Sequence, residues 1–346
     1  MNAKKLVRLI SFTPFTLLAL LFLAFTGCAP ELDDRLYLLE EPRLLAIRAE
    51  PAEARPGDSV HYRALIASAE GTIDETVEWA FCNKRTPLSS LGSVHPDCAQ
   101  PSDPALEDFG EDAQEPDEAE GILPGLGCRI FGPEIPAPMP DEPPGRPFDP
   151  DGTSGYFQPV RAMYFVDDEP RFAFQKTRIF CGIGVGSSED RIEFNRRYKM
   201  NTNPDLSSVK IYADELLVLE RRAGEPQAEI PRVDRTSVIR VEVEWPPCPG
   251  SIDELGEDGC AGAEPFVYYD QDALDIVERR EAMRVAWYST GGVFDVDRTG
   301  RDPDEEALTS DNILRAEEAE GIVHLYAILR DERGGVGFID ASIEID

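Results

Sequence analysis

Basic residues and histidines are scarce in this sequence. Its 346 residues include 34 Lys and Arg against 67 Asp and Glu, which gives a formal net charge of -33, and 3 His. Binding to nucleic acid requires clustered Lys and Arg, so this charge balance argues against nucleic acid as a partner. His61 and His324 lie on strand-like runs and His95 precedes Pro96, so we expect no catalytic histidine.

Motifs of common enzymes and of zinc sites are also missing. The sequence has no Gly-x-Ser-x-Gly motif and no Cys-x-x-Cys pair, which argues against an α/β-hydrolase nucleophile and against a zinc centre. Asp and Glu are so frequent that no carboxylate pair stands out for acid–base catalysis. We therefore predict a protein that is not an enzyme and that holds no cofactor and no metal.

An export signal is present at the start of the chain. Three Lys and Arg side chains precede an apolar run over residues 17–25, and Phe25-Thr26-Gly27-Cys28 ends it. This segment resembles the signal peptide of bacterial lipoproteins. The resemblance implies that residues 1–27 are removed, that Cys28 is acylated, for example with palmitate, and that residues 28–41 form a lipidated tether.

The same resemblance predicts a location in the bacterial cell envelope. Ala29, which follows the modified Cys, implies transport to the outer membrane. The acyl chains alone would contact the membrane, because the acidic body does not bind anionic headgroups. An ordinary cleaved signal peptide and an uncleaved membrane anchor are the alternatives, although the apolar run is short for a membrane span.

Six cysteines remain besides the lipidation candidate. An even number of cysteines in an exported chain predicts disulfides. Cys248 and Cys260 bracket a loop rich in Pro, Gly and acidic residues, so we expect a local bridge between them. The other expected pairs are Cys82 with Cys181, which each end a strand-like run, and Cys98 with Cys128, which both lie in loop sequence.

Apolar and polar residues alternate with a period of two along much of the chain. The alternation is clearest over residues 239–245, where Ile, Val, Val and Trp are separated by charged residues. It predicts an all-β fold of two Ig-like β-sandwich domains, over residues 42–204 and 205–346. We expect an acidic and Pro-rich insertion over about 95–158 to form neither strands nor a buried face.

The end of the chain carries a second resemblance. The sequence VAWYSTGG (residues 285–292), followed by GIVHLYAILRDERGGVGF (residues 321–338) and a closing strand, is similar to PKD and related Ig-like domains. The similarity covers residues 283–346. It implies the fold and display outside the cell, and a fold alone does not give a function.

Residues 295–306 have the spacing of an EF-hand calcium loop. Asp295, Asp297, Thr299 and Glu306 occupy the first, third, fifth and twelfth positions, and Gly300 occupies the sixth. The preceding segment is strand-like, so the flanking helices of an EF-hand are not expected. We therefore favour an acidic surface loop and expect calcium binding that is weak at most.

Two further patterns have a structural and a functional interpretation. The Gly-x-Gly-x-Gly run over residues 182–186 lacks a helix signal after it, so we interpret it as a strand end and not as a nucleotide site. Trp79, Trp245 and Trp287 could stack on sugars, but each is in phase with apolar strand neighbours, which favours core packing.

These patterns predict a non-catalytic function. We expect a lipid-anchored protein of the cell envelope with a structural, adhesive or ligand-binding role, whose partner is an unknown protein or glycan. The alternative is a hydrolase, or an accessory module, that acts on envelope or extracellular polysaccharide. That alternative requires a concave site with clustered carboxylates and exposed Trp.

Overall fold

Four large β-sheets and a separate β-hairpin make up the computed structural model of the chain, which describes residues 36–86, 92–110, 115–135 and 149–346. The predicted signal peptide (residues 1–27) and Cys28 lie outside the described residues. Within the described ranges, no helix is long and apolar enough to cross a membrane.

The first sandwich is built from the strands before residue 180. They are β1 (Arg43–Glu50), β2 (Glu53–Ala54), β3 (Ser59–Ser68), β4 (Gly71–Thr72), β5 (Glu78–Cys82), β6 (Leu106–Asp108), β7 (Glu118–Ile122), β8 (Tyr156–Val166) and β9 (Glu169–Ile179). Sheet I has the order β2-β9-β8-β5-β6, and sheet II has the order β1-β3-β4 with β7 also paired to β3. The core between them contains Val60, Tyr62 and Trp79, which are all buried.

The expectation that residues 95–158 form no strands was wrong. β6 pairs with β5 and β7 pairs with β3, so this stretch adds an edge strand to each sheet. In β7 the acidic residues alternate with Ala119 and Gly121, and Ala119 lies in the core. An acidic run is thus compatible with an edge strand, because one face remains in water. Residues 111–114 and 136–148 lie outside the described residues.

The second sandwich and the hairpin follow residue 207. Their strands are β10 (Ser208–Ala213), β11 (Leu216–Arg222), β12 (Arg232–Val233), β13 (Val238–Glu244), β14 (Pro265–Asp270), β15 (Asp275–Arg280), β16 (Met283–Ser289), β17 (Val293–Phe294), β18 (Arg298–Arg301), β19 (Thr309–Arg315), β20 (Gly321–Asp331) and β21 (Val336–Ile345). Sheet III has the order β12-β21-β20-β16-β18, and sheet IV has the order β11-β10-β13-β19-β17. β14 and β15 form the hairpin.

The predicted alternation in the second sandwich is confirmed. Ile239, Val241, Val243 and Trp245 are at most 1% exposed and lie in the core between sheets III and IV. β20 and β21 pair as a hairpin around the turn over residues 331–335. The chain is therefore an all-β protein with two Ig-like sandwiches, the first interrupted by the acidic and Pro-rich stretch.

The two sandwiches pack against each other through an apolar layer between sheets II and III. Leu45 and Leu65 from sheet II meet Tyr326, Ile328 and Val336 from sheet III. The parts of both sheets that meet here are therefore buried on both faces, whereas His61 and Arg63 of β3 are exposed. Residues 37–346 form one compact unit. The strands fall on either side of residue 205, but the division into two domains there stays a prediction.

In the part of the chain that the structure describes, two α-helices accompany the sheets, α1 (Gly127–Ile130) and α2 (Ser188–Arg197), together with a short 3-10 helix (Pro96–Ala99). Residues 188–197 form a helix although Ile192 and Phe194 alternate with polar residues as in a strand. Ser187 and Asp190 form a capping box, in which each side chain accepts the backbone N–H of the other. Phe194 and Tyr198, four residues apart, then lie on one face and pack with residues of the β14–β15 hairpin.

Candidate functional site

A cluster of buried ionisable side chains lies where the sandwiches, the hairpin and the end of α2 meet. Its charged members are no more than 7% exposed, and they come from segments far apart in the sequence. We call this group the junction cluster. Its members are Glu53, Arg178, Tyr198, Asn201, Glu264, Glu281, Asp331 and Arg333.

Arg333 is the centre of the junction cluster. Its Nε donates to Glu281 Oε1 at 2.6 Å, and its Nη2 donates to Glu264 Oε2 at 2.6 Å. Its Nη1 donates to the carbonyl of Lys199 at 3.0 Å, and the guanidinium lies 5.2 Å from the centre of the Phe266 ring. A single side chain of the β20–β21 turn thus ties together both ends of the hairpin and the segment after α2.

The sequence of the β20–β21 turn fixes the conformation from which Arg333 points into the junction cluster. Asp331 Oδ1 accepts the backbone N–H groups of Gly334 at 2.7 Å and Gly335 at 2.8 Å. Gly334 has a φ of +103°, which favours glycine, and a Cβ on Gly335 would collide with the Asp331 carboxylate. The other oxygen of Asp331 accepts from Asn201 Nδ2 at 3.0 Å.

Glu53 and Arg178 form the part of the cluster that belongs to the first sandwich. They lie on the parallel pair β2 and β9, with Arg178 Nε 3.4 Å from Glu53 Oε2. The Tyr198 hydroxyl donates to Glu53 Oε2 at 2.7 Å, and the backbone N–H of Asn201 donates to the same oxygen at 2.9 Å. Sheet I is therefore bonded directly to the segment that leads into the second sandwich.

The carboxylates of the junction cluster outnumber its guanidinium groups. Burial raises the pKa of Glu281 well above its ordinary value, and it also raises the pKa of Glu264 and of Asp331, while Arg333 opposes each of these shifts. Burial by itself would lower the pKa of Arg333, but the surrounding carboxylates, Glu281 first, raise it well above its ordinary value. The cluster depends on Arg333 for most of its charge compensation.

The arrangement is suited to holding segments together. Each carboxylate accepts at least two hydrogen bonds from the protein; Glu264, for example, accepts the backbone N–H groups of Thr202 and Cys260 besides Arg333. A cleft of about 210 Å³ is lined in part by Glu281, but both Glu281 oxygens already accept hydrogen bonds. Buried and engaged in this way, these carboxylates join segments of the protein to one another.

The disulfides are formed by the six predicted cysteines, but two of the expected pairs were wrong. Cys248 is bonded to Cys260 as predicted. The other bonds join Cys82 to Cys98 and Cys128 to Cys181. β8 lies between β5 and β9 in sheet I, so Cys82 and Cys181 are separated by two strand spacings, about 9 to 10 Å, whereas bridged Cα atoms lie about 4 to 7 Å apart.

The sequence matches no protein-family profile, and no curated protein matches it. Solved structures do align with it. The D0-D1 domain of intimin aligns over 87% of this chain and 98% of its own length at 10% identity, with a TM-score of 0.21. A chimeric titin Z1Z2-Z1Z2 tandem aligns over 88% and 99% at 9% identity, with a TM-score of 0.24.

The fibronectin(III)-like modules of CbhA from Clostridium thermocellum also align, over 87% of this chain and 93% of theirs, at 9% identity and a TM-score of 0.19. The assignment of the sandwich fold depends on the strand pairing described above and not on these alignments.

The structure does not bring the calcium-loop candidates together. The carboxylate of Asp295 accepts from Arg315 Nε at 2.7 Å. The hydroxyl of Thr299, on β18, accepts from Trp287 Nε1 at 2.9 Å and lies 2.6 Å from Ser310 Oγ. Asp297 and Glu306 are exposed. In the described ranges, no group of three or more His, Cys, Asp or Glu side chains is placed to hold a metal ion.

The histidines and tryptophans have structural surroundings. His61 Nε2 lies 3.3 Å from Glu118, and His95 Nδ1 accepts the backbone N–H of Asp97. His324 Nδ1 lies 2.8 Å from Ser342 Oγ, and its ring covers Gly71 of the first sandwich. Trp79, Trp245 and Trp287 are buried at 5%, 1% and 1% exposure, so the prediction of core packing is confirmed.

The glycine run over residues 182–186 is followed by α2, so the expected absence of a helix there was wrong. The first turn of α2 carries Glu189 and Asp190. These carboxylates occupy the positive end of the helix, where a phosphate would otherwise bind. The junction cluster itself was missed, because no local pattern marks its carboxylates among 67 acidic residues.

Proposed function

We propose that this chain is a non-catalytic binding or structural protein of the bacterial cell envelope, held on the outer membrane by a lipid at Cys28. The signal-like segment that ends at Cys28 supports the anchor. The fold supports the binding role, because a stack of four sheets presents surfaces and edges to partners.

The junction cluster is the observation that carries the binding or structural interpretation. Arg333 joins the hairpin to the β20–β21 turn, and Glu53 joins the first sandwich to the segment after Tyr198. Together with the apolar layer between sheets II and III, these bonds hold the sandwiches in one arrangement. A body of fixed shape displays its surfaces in a constant geometry, which favours binding by lowering the entropy lost on association.

The polysaccharide hydrolase is less well supported. Carbohydrate sites use exposed aromatic rings, and the three tryptophans of the sequence are buried. Glu264 and Glu281, whose pKa values are raised by burial, are at most 1% exposed and are engaged by Arg333. We therefore propose a protein or glycan partner that is bound and not cleaved.

The anchor can be tested by labelling cells that express the full chain with an alkynyl palmitate. We expect the label on the wild-type protein and recovery in the outer-membrane fraction, with the lipid on Cys28 in the mass spectrum of the mature N-terminus. Cys28→Ser should lose the label and leave the membrane, whereas Thr26→Ser, a control in the same segment, should keep both. An unlabelled wild-type chain would contradict the proposed anchor.

Binding can be tested with the anchored protein itself. Chemical cross-linking in intact cells, followed by affinity purification, should recover a defined protein or glycan with the wild-type chain. Hydrolysis of purified envelope polysaccharide by the wild-type protein, lost on Glu281→Gln, would contradict the non-catalytic proposal.

A further inference from the structure

One side of the first sandwich ends in two edge strands with a groove between them. Within the described part of the chain, β6 is the last strand of sheet I, and β7 pairs only with β3 in sheet II. The groove has a volume of about 340 Å³. It is lined by Phe81, Phe109 and Ile122 and by the acidic residues Glu107, Asp108 and Glu120.

The backbone of β7 has an open edge towards this side. Asp117 and Leu123, which flank β7, bond through their backbone to the β3 segment, and the pairing between them has no bulge. In an antiparallel pair, alternate residues direct their N–H and C=O groups to opposite sides. Glu120 and Ile122 therefore present theirs away from β3, where another strand can pair.

The apolar part of the groove is held in a fixed position. The ring of Phe109 lies 4.5 Å from the ring of Phe81 and 5.3 Å from that of Tyr62, measured between centroids. It also covers Gly121, where a Cβ would come within 2.7 Å of the ring. Ile122, at the end of β7, is 66% exposed. The groove thus offers an aromatic surface next to a free strand edge.

The charge of the groove determines the kind of partner. None of the described residues that line it is Lys or Arg. Glu107 and Glu120 are bonded to the neutral side chains of Asn83 and Ser59, and Asp108 lies 3.8 Å from the guanidinium of the buried Arg161. A second copy of this chain would bring acidic edges together, which is unfavourable. A basic partner would instead be attracted by the groove and by the net charge of -33.

We propose that this groove binds an extended basic segment of a partner protein, which pairs as an additional strand with β7. Side chains alternate between the two faces of a strand. Lys or Arg side chains on one face would therefore meet Glu120, and the aliphatic side chains between them would contact Phe109. This inference rests on the proposed binding function and specifies the partner by its chemistry.

The test uses the full chain in a mild detergent and a labelled peptide of alternating Lys and Val, with binding followed by fluorescence anisotropy. We expect the peptide to bind more tightly than a peptide of the same composition with all Lys before all Val. Replacing Glu107, Asp108 and Glu120 by the corresponding amides should weaken binding by about tenfold or more. The control replaces Glu317, Glu318 and Glu320, which lie in an exposed acidic loop elsewhere, by the corresponding amides. It removes the same charge and should leave binding unchanged.

A second variant tests strand pairing separately from charge. Ile122→Pro removes an N–H that points to the open edge, so β7 keeps its bonds to β3 while the peptide loses a donor. Binding should fall with an unchanged circular dichroism spectrum. Equal weakening by the two amide sets, or equal affinity for the two peptides, would overturn the inference. The palmitate label and the cross-linked partner would be unaffected by that outcome, so the proposed function would stand.

Discussion

Replacing Arg333 by Met should strongly destabilise the protein. Arg333 is 1% exposed and is bonded to Glu281 and Glu264 at 2.6 Å each. Met matches the aliphatic stem of Arg333 and has no charge, so the variant removes the cation and keeps most of the apolar contacts of the stem. Two carboxylates would then remain buried beside each other with no guanidinium between them.

The size of the effect follows from this burial. Removing one partner of a buried ion pair costs about 3 to 5 kcal/mol, which is a large part of the about 5 to 15 kcal/mol of a typical stable protein. Protonation of Glu281 limits the loss, because its pKa is already raised by burial. The loss should therefore be smaller at pH 5 than at pH 8.

A second substitution should restore part of the stability. In Arg333→Met, the further change Glu281→Gln removes one uncompensated charge, and the Gln oxygen can still accept the backbone N–H of Glu264, as Glu281 does at 3.1 Å. Glu264 keeps its bonds to Thr202 and Cys260. We expect the double variant to be more stable than Arg333→Met at pH 8 and nearly equal to it at pH 5.

Urea unfolding of the full chain with Cys28→Ser, followed by circular dichroism and by tryptophan fluorescence, measures these differences. Arg232→Met is the matched control, because Arg232 is 68% exposed and bonded to Glu344 at 3.0 Å; it should cost less than about 1 kcal/mol. If Arg333→Met were no more destabilising than Arg232→Met, the junction cluster would not hold the structure together. If the wild type unfolded in two separated transitions, the variants would be compared by the midpoint of each transition and not by a single free energy of unfolding.

Three further outcomes are expected. Burial raises the pKa of Glu281 above its ordinary value of 4.5. The contribution of Glu281 to stability is therefore present below pH 4.5 and is lost as pH rises through the raised pKa. Glu281→Gln should abolish this part of the pH dependence of the unfolding midpoint. Burial lowers the pKa of His324 below 6.5, so the wild type should lose stability as pH falls through 6.5 and His324→Gln should not. Gly335→Ala should cost about 1 to 3 kcal/mol by collision with Asp331, whereas Gly250→Ala, with open space around it, should be neutral in thermal unfolding.

The sequence predicts strands well where one face of a sheet is in water. Over residues 239–245, charged side chains face solvent and apolar ones face the core, so the period of two is visible. Where sheets II and III meet, the strands are buried on both faces, and the corresponding signal is a continuous apolar run, such as Ala64-Leu65-Ile66-Ala67 in β3. That run indicates that β3 is covered on both faces, but it does not identify the sheet that covers the second face.

Other features depend on contacts that no local pattern records. The capping box at Ser187 and Asp190 was a visible helix signal that the apolar residues after it obscured. The disulfide partners of Cys82 and Cys181 depend on β8 lying between their strands, which is a property of the sheet order. The junction cluster combines residues from both sandwiches, and each of its carboxylates is ordinary within the sequence.

The use of the scarce basic residues connects the fold with the binding surfaces. Arg178 and Arg333 are buried and neutralise carboxylates inside the protein, and Arg161 is 2% exposed with its guanidinium donating to the carbonyls of Gln100 and Pro101. The 34 Lys and Arg are too few to balance the 67 Asp and Glu, and the buried ones serve mainly the interior, although Arg161 also lies 3.8 Å from the exposed Asp108 of β6. The solvent-facing edges, β7 among them, therefore remain acidic, and a basic partner is the one that the surface attracts.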